Sequence, residues 1–593
     1  MNFTADFETT TKEEDCRVWA WGVCEIGNPD NFSYGNTIEG FFEFLKKSKN
    51  STFYFHNLKF DSSFIFVYLF EHGFKHVEKK DEDSGTFSTL ISDKGQFYSI
   101  KIIFEKKGHK TKYVQIYDSM KILPFSVEAV AKGFGLPVSK LTLDYHADRP
   151  IGHVLTAHEK EYLRGDVEIM ARALDILFKQ NLKKMTQGSN ALYDFKRTIT
   201  EKKFEKWFPV PEENVDTFIR ASYRGGFTYL NPKYRGIDIG EGLVLDVNSL
   251  YPWVLRDCPL PFGEGIYYEG KYKPHRQYNL YVQCLTCQFE IKAGYLPTIQ
   301  IKKSLQFIPN EYVLSSHDEM VTLYLTSVDI ELFFEHYEVF NVTYHGGYMF
   351  KSATGLFSPY IDKWTAIKIE STLNGNKAMR QLAKLMLNAL YGKFGLNPNV
   401  RSKIPYYDGG VIKFYDGPKE KREPLYIPVA TFVTAWARHK TITSAQKMLD
   451  KWVYADTDSL HLNIELPPEL SKLNDKEFEN LTSDGLRKYG VQLPEGFTVD
   501  PVALGAWKLE SRFTRARFVR QKCYLEDRNE PETWGTDEYS NALLNIACAG
   551  LPKKCHEQVT WANFHEGATY TGKPQPRQVK GGIILKEIEF TIR

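Results

Sequence analysis

The sequence predicts a multidomain protein of the α+β class, and three observations carry that reading. Its 593 residues exceed what one hydrophobic core organises. β-type runs carry closely spaced carboxylates at Asp6-Phe7-Glu8, after Leu243-Val244-Leu245, and after Trp452-Val453-Tyr454. Between them lie segments with helical periodicity, around 161–177 and 377–391. With 42% hydrophobic and 15% aromatic residues, the chain has ample material for packed cores.

The first element, at Asp6-Phe7-Glu8, puts both carboxylates on one side of a strand, because alternate side chains share a face. Thr9-Thr10-Thr11 then leads that strand into a turn. A second β-type run, Thr52 to Phe55, precedes His56-Asn57-Leu58-Lys59-Phe60-Asp61 and the apolar segment Phe64 to Phe70. Asp61 is therefore expected near the start of a helix. In Glu161-Tyr162-Leu163-Arg164-Gly165-Asp166, Tyr162 and Asp166 are four apart and share a helical face. That helix continues through Val167, Ile169, Met170, Ala173, Leu174 and Leu177 at core spacing. Asp6, Glu8, Asp61 and Asp166 together can hold two divalent cations while the Tyr162 phenol orients a water, the chemistry of phosphodiester hydrolysis. Tyr54, Phe60 and Phe64 offer rings on which unpaired bases stack.

Further along, the glycines of Tyr223-Arg224-Gly225-Gly226 let backbone amides approach phosphate closely, and a hinge between the acid sets is equally compatible. Asp246 ends a β-type run, and Tyr251 follows at a distance suited to a turn beneath a bound nucleotide, where its ring excludes a ribose 2′-hydroxyl. Lys377 to Phe394 reads as one helix stopping at Gly392. Arg380, Lys384, Asn388 and Tyr391 form a polar stripe along it, opposite Leu382, Leu385, Met386 and Ala389. Tyr454-Ala455-Asp456-Thr457-Asp458-Ser459 reads as a β-hairpin turn presenting two carboxylates. Acids this close repel unless a cation lies between them, and Asp246 completes an all-oxygen site suited to in-line displacement at phosphorus. Lys522-Cys523-Tyr524 is predicted on a strand, with both polar ends reaching toward a nucleic-acid backbone.

The net charge is only +2, so basic clusters must supply any attraction for phosphate. Arg512, Arg515, Arg517, Arg520 and Lys522, interleaved with Phe513, Phe518 and Tyr524, form one such cluster. Lys196, Arg197, Lys202, Lys203 and Lys206 form another. Eight scattered cysteines make no disulfide framework, and the lone pair Cys284 and Cys287 lacks partners for zinc, so reduced thiols are expected. The apolar run from Phe64 to Phe70 is too short to span a bilayer, and the start of the chain carries no secretion signal.

Assembled, these residues resemble the protein-primed family B DNA polymerases, specifically the phi29-type phage replicative enzymes. The resemblance runs from Asp6-Phe7-Glu8-Thr9-Thr10-Thr11-Lys12 and Tyr54–Asp61 through Asp246–Pro252 and Gln381–Phe394 to Thr434-Ala435-Trp436-Ala437-Arg438. It implies a ribonuclease-H-like 3′→5′ exonuclease domain on a right-hand polymerase of palm, fingers and thumb, with two family-specific insertions. The implied boundaries are 1–187 for the exonuclease, 188–257 and 424–546 for the palm, 258–356 and 399–423 for insertions, 357–398 for the fingers and 547–593 for the thumb. The insertions are where the family places terminal-protein binding, strand displacement and processivity.

By the same resemblance, Asp6, Glu8, Asp61 and Asp166 hold the exonuclease metals, assisted by Tyr162 and Lys140. Thr9, His56, Asn57, Phe60, Ser119 and Met120 hold the frayed primer strand. Asp246 and Asp458 hold the polymerase metals, supported by Asp456. Lys368, Arg380 and Lys384 meet the nucleotide phosphates, and Tyr251, Asn388 and Tyr391 form its pocket. Tyr223, Arg224, Gly225, Gly226, Ser249, Thr434, Arg438, Lys522 and Tyr524 contact primer-template DNA. Two Mg²⁺ per site are implied, with Mn²⁺ an alternative, as are DNA, single-stranded DNA, dNTPs and a terminal protein as partners. A monomer, or a heterodimer with terminal protein, in the host cytoplasm is expected, without membrane association. Arg380 stands where the family usually has lysine, exchanging a point charge for a fork. The segment 464–501, with Pro467-Pro468 and many charges, is expected to be a surface excursion. Two rival readings are a metal-dependent 3′→5′ exonuclease on a non-catalytic DNA-binding scaffold, and a non-enzymatic single-strand-binding factor. Intact Asp246, Asp456, Asp458 and Lys384 argue against the first, and the second would bind DNA equally well without metal.

Overall fold

The computed structural model describes residues 1–300 and 312–593, so part of the expected insertion 258–356 lies outside the described residues. The first sheet has eight strands. Asn2–Thr9 lies at its heart, antiparallel to Val18–Glu25 and parallel to Ser51–Phe55, which in turn runs parallel to Lys110–Asp118. Phe3, Ala5 and Phe7 point to one side, into a core of aromatic rings that includes Phe41, Phe53, Phe55 and Phe66. Thr4, Asp6 and Glu8 point to the other, as strand alternation requires. The helix Leu58–Glu71 covers the aromatic side and is buried nearly all round.

The helix Ala157–Lys179 covers the opposite side. Thr156 caps it, accepting from the Glu159 N–H while Glu159 accepts from the Thr156 N–H, an arrangement worth about 1 kcal/mol. Leu163, Val167 and Ala171 face the sheet side, while Ile169, Met170, Ala173, Leu174 and Leu177 enter the largest core of the molecule. One helix thus cements the amino-terminal unit to the rest of the chain.

The second major sheet has five strands in the order Trp507–Phe513, Gly242–Val247, Ser459–Asn463, Trp452–Asp456 and Thr228–Leu230. Leu509, Leu245, Leu460, Ala455 and Tyr229 stand in one transverse row, all buried. Slipping any pairing by one residue would exchange this apolar row for a polar one, so burial fixes the register. The helix Ile427–Lys447, buried along most of its length, backs this sheet. The helices Ser358–Leu373 and Lys377–Ala389 pair beside it. A four-stranded sheet built from Leu260–Tyr268, Leu280–Ile291, Val321–Thr326 and Tyr337–Ala353 fills the described part of the first expected insertion.

Two hairpins reach back to the amino-terminal unit. Asn399–Asp408 with Val411–Lys421 packs Tyr407 and Phe414 against its aromatic core. Thr569–Val579 with Gly582–Thr591 adds Val579, Ile583 and Ile584 to the same core. The hairpin tips meet where the Gly581 N–H donates to the Gly410 carbonyl at 3.3 Å.

Two expectations need correction and a third needs an addition. The helix beginning at Lys377 ends at Ala389, and Gly392 lies within a separate short helix, Tyr391–Phe394, that stops at Gly395. The segment 464–501 runs over the surface for much of its length, as expected, but it is firmly anchored: Leu470, Phe478, Leu486, Val491, Phe497 and Val499 are buried in the main core, drawn in from three short helices and the loop after them. The basic cluster at 512–522 does not form an open groove. Arg515 pairs with Asp527 and lies over the rings of Trp534 and Trp561, Arg517 pairs with Asp238, and Arg512 donates to the carbonyls of Leu470 and Leu473. The acids and carbonyls that satisfy these guanidiniums come from elsewhere in the chain.

Candidate active sites

The first acidic site forms where the helix Ala157–Lys179 crosses the strand Asn2–Thr9. The Thr4 hydroxyl, on the same strand face as Asp6 and Glu8, donates to the Val167 carbonyl at 2.7 Å. That bond draws the helix onto the strand beside Asp166. Carboxylate oxygens of Asp6, Glu8 and Asp166 then lie within 4.8 Å of one another. Asp61, in the first turn of its helix as expected, is buried and within the electrostatic reach of Asp6 and Glu8.

Burial, reinforced by Asp166, pushes the Asp6 carboxyl up to about 7. Burial and neighbouring acids also hold Glu8 and Asp61 well above the usual carboxylate range. Oδ1 of Asp61 and Oδ1 of Asp166 are buried without a hydrogen-bond partner. Orphaned oxygens converging with mutually repelling acids are the donor set of a hard divalent cation, and these residues fit one.

Lys140 donates to Asp166 Oδ2 at 2.6 Å and lies over the Tyr162 ring. The Tyr162 hydroxyl meets that of Tyr145 at 2.8 Å, a partner the sequence did not suggest because it comes from the loop preceding the helix. The expected primer-strand residues are gathered by another unforeseen acid, Asp118. Its Oδ1 accepts from the backbone N–H groups of Asn57 and Met120. His56 lies beside Ser119, Nδ1 to Oγ 3.0 Å, and the Ser119 hydroxyl donates to the Phe55 carbonyl. Asn57 takes the left-handed conformation, with φ of 72°, which asparagine tolerates at a strand-to-helix turn. Phe60 remains partly exposed on the first helical turn, and Thr9 closes the strand.

The second acidic site is a transverse row on the five-stranded sheet. Lys508, Asp246, Ser459, Asp456 and Thr228 stand opposite one another on consecutive strands and share one face. The expected hairpin is present, with Thr457 at its tip in the left-handed conformation. Its N–H donates to the Phe227 carbonyl, and the Thr441 hydroxyl donates to its carbonyl. Val247 N–H donates to the Asp458 carbonyl at 2.8 Å, fastening Asp458 beside Asp246.

The three acids differ in their partners. Asp456 accepts from Lys522 Nζ, from Thr228 and from Tyr454, so its oxygens are satisfied within the protein. Asp458 is pushed up to about 6 by burial, with Asp246, Asp456 and Glu510 adding to it. Burial also raises Asp246, opposed by Lys508 and Lys384. Asp246, paired loosely with Lys508, and Asp458 thus keep carboxylate charge that the protein satisfies less fully than that of Asp456. Glu510, on the outermost strand, extends the negative field and was not suggested by any motif.

The helices Ser358–Leu373 and Lys377–Ala389 supply the complementary charge. Arg380, Lys384 and Asn388 form an exposed stripe, with Leu382, Leu385 and Met386 buried behind it, as predicted. Burial and then the neighbouring cations Arg380, Lys384 and Lys508 push the Lys368 ammonium down, marking a cluster short of negative charge. The rings of Tyr251 and Tyr391 stack with centroids 4.1 Å apart, within electrostatic reach of Asp458. Ser249, left-handed at φ 57°, turns the chain from the Asp246 strand into the helix carrying Tyr251.

Other expected DNA contacts lie differently. Lys522 is not on a strand; it occupies a turn with φ of 56°, and the strand begins at Cys523. Tyr524 packs against Phe518, His461 and Tyr454. A Cβ on Gly226 would fall 2.7 Å from Thr457 Oγ1, so this glycine is required by packing against the acidic turn. Tyr223 lies against Gly395, whose missing side chain makes room for the phenol. Thr434 and Arg438 are buried. Arg438 grips both oxygens of Asp329 at 2.8 Å and donates to the carbonyls of Arg224 and Gly225, while Arg224 turns its guanidinium onto the Ala221 carbonyl.

The chain matches the family model for DNA polymerase type B, organellar and viral, over residues 44–158 and 142–475. It is similar to the DNA polymerase of Bacillus phage M2, with 46% identity over 598 residues covering 100% of this chain and 99% of the relative. It is also similar to the solved structure of phi29 DNA polymerase in its orthorhombic crystal form, at 43% identity and a TM-score of 0.90 with full coverage of both chains. The structure of phi29 DNA polymerase complexed with primer-template DNA and incoming nucleotide substrates is similar at a TM-score of 0.88, again at 43% identity and full coverage. Two acid sites on two sheets, a cationic helix facing the second, and likeness along the whole length have one reading: the chain belongs to the type B DNA polymerases of organelles and viruses.

Proposed function

We propose that this protein is a DNA-directed DNA polymerase with a separate 3′→5′ proofreading exonuclease, replicating a linear phage-type genome by strand displacement from a terminal-protein primer. Polymerase identity stands on family membership, and with it the dependence on divalent metal. The observation that supports the synthetic reading most is the row Lys508–Asp246–Ser459–Asp456–Thr228, whose Asp246 lies within electrostatic reach of Lys384 and whose Lys508 lies within reach of Lys368. Asp246 and Asp458 are assigned the polymerase metals, and Asp456 the support of Lys522 at the primer end. Lys368, Arg380 and Lys384 take the triphosphate, with Tyr251, Asn388 and Tyr391 around the nucleoside. When bound, two Mg²⁺ (Mn²⁺ the alternative) stabilise the attacking and leaving oxygens.

Asp6, Glu8, Asp61 and Asp166 are assigned the exonuclease metals. Tyr162, oriented by Tyr145, directs the attacking water, and Lys140 holds Asp166. Thr9, His56, Asn57, Phe60, Ser119 and Met120 are assigned the single-stranded primer end. Tyr223, Gly225, Gly226, Ser249, Lys522 and Tyr524 are assigned primer-template contacts, with Arg224, Thr434 and Arg438 acting by positioning that backbone. The boundaries given for exonuclease, palm, fingers, thumb and insertions are retained. Terminal protein, engaged through segments 258–356 and 399–423, completes a monomer or 1:1 heterodimer acting in the host cytoplasm. Among the described residues, no helix is long and apolar enough to cross a membrane.

Extension of a primed circle with all four dNTPs and Mg²⁺, with and without a downstream blocking strand, tests the reading. Continuous products through the block are expected. Degradation without any extension would overturn it in favour of a nuclease on a binding scaffold.

A further inference from the structure

Lys508 stands directly opposite Asp246 in antiparallel register, with Nζ 3.3 Å from Asp246 Oδ1. Neither the acid motifs nor the nucleotide-pocket pattern pointed to it. Its charge reaches in two directions, toward Asp246 and Glu510 on the sheet and toward Lys368 on the fingers. The ammonium therefore touches the acid that is to hold a metal and lies within electrostatic reach of Lys368, one of the cations that are to hold a triphosphate. With 37% and 23% of the two side chains exposed, the pair is held loosely. Lysine suits such a position, because a compact ammonium on a flexible stem can change partners where a guanidinium fork is fixed.

We propose that Lys508 is a positioning residue that couples nucleotide binding to metal loading in the polymerase site. Before a nucleotide arrives, its ammonium occupies Asp246 Oδ1 and repels a second cation from that oxygen. An incoming triphosphate, more highly charged than a carboxylate, draws the ammonium across and frees Asp246 for the divalent cation. The metal site is then complete only when substrate is present. The inference rests on the assignment of Asp246 as a metal ligand.

The test measures Mn²⁺ binding to the full-length protein from the electron paramagnetic resonance of free Mn²⁺, with and without a non-hydrolysable α,β-imido dNTP. Binding lost in Asp246→Asn defines the polymerase-site fraction. In the unsubstituted protein the nucleotide analogue should tighten that fraction. Lys508→Met, and Lys508→Gln as a second variant, should bind Mn²⁺ about two- to fivefold tighter without nucleotide, the range expected for losing a partly exposed ion pair. Both should also lose most of the tightening by the analogue. Unchanged degradation of single-stranded DNA would show the variants folded. Asp246-dependent binding that neither variant alters overturns the role of Lys508 alone. Absence of any Asp246-dependent binding overturns the metal assignment and this inference together.

Discussion

Asp458 carries a measurable consequence of its surroundings. Its carboxyl is pushed from 3.8 to about 6 by burial, aided by Asp246, Asp456 and Glu510. Between about pH 4 and 6 the unfolded chain loses this proton while the folded chain keeps it, so in chelator the group lowers stability as pH rises through that window. Asp458→Asn removes the effect. Its melting temperature should match the unsubstituted protein near pH 4 and exceed it by about 6–12 °C at pH 7, because a rise of about two units is worth roughly 3 kcal/mol and each kcal/mol moves a domain of 150–250 residues by about 2–4 °C. Melting curves from pH 4 to 8 in chelator check this, and a pH-independent difference contradicts it. Gly226 offers a second test at this scale. Gly226→Ala drives a methyl into Thr457, and about 1–3 kcal/mol of overpacking strain should slow extension roughly tenfold or more while leaving primer degradation intact. Steady-state rates of both reactions distinguish that outcome from general misfolding. At this scale the sequence was informative wherever spacing is local, as in Asp6 with Glu8 or Asp456 with Asp458. It was silent about Lys508, Glu510 and Tyr145, because their proximity to the acids depends on register or loop path.

Among the elements, the helix Lys377–Ala389 was legible because its period separates an exposed cationic stripe from a buried apolar one. Lys384→Ala should raise the KM for dNTP by about tenfold or more, the worth of one charge-assisted hydrogen bond, without changing exonuclease rate. Single-nucleotide incorporation kinetics measure it, and an unchanged KM would remove Lys384 from the triphosphate site. The arginine-rich stretch 512–522 was misread for a definite reason. Composition shows five cations without intervening acids, but Asp238 and Asp527 reach them only through strand pairing. The anchoring of segment 464–501 was missed likewise, since its buried residues are diluted among charges and follow no long period. Gly392 was taken as a helix stop because glycine is the commonest terminator, whereas the helix had already broken at Leu390.

On the scale of the whole molecule, the amino-terminal unit is tied to the rest by the helix Ala157–Lys179, by the helix Val127–Phe134 packed against Lys377–Ala389, and by two hairpins. The Gly582 backbone lies so close to Phe64 that a Cβ would fall 2.3 Å from its ring. Gly582→Val should therefore lift the hairpin 569–591 from the helix Leu58–Glu71. Limited proteolysis should then cut this hairpin faster, while extension by one nucleotide on a short primer persists; unaltered protection contradicts the docking role. Sequence motifs identified the family through resemblance, but contacts between units leave little periodic trace.

The separation of the two acidic sites is measured most directly by one pair of substitutions assayed for both reactions on the same primer-template. Asp458→Ala should abolish extension and keep 3′→5′ degradation, and Asp61→Ala should abolish degradation and keep extension. Loss of both activities in either folded variant would contradict the existence of two independent sites.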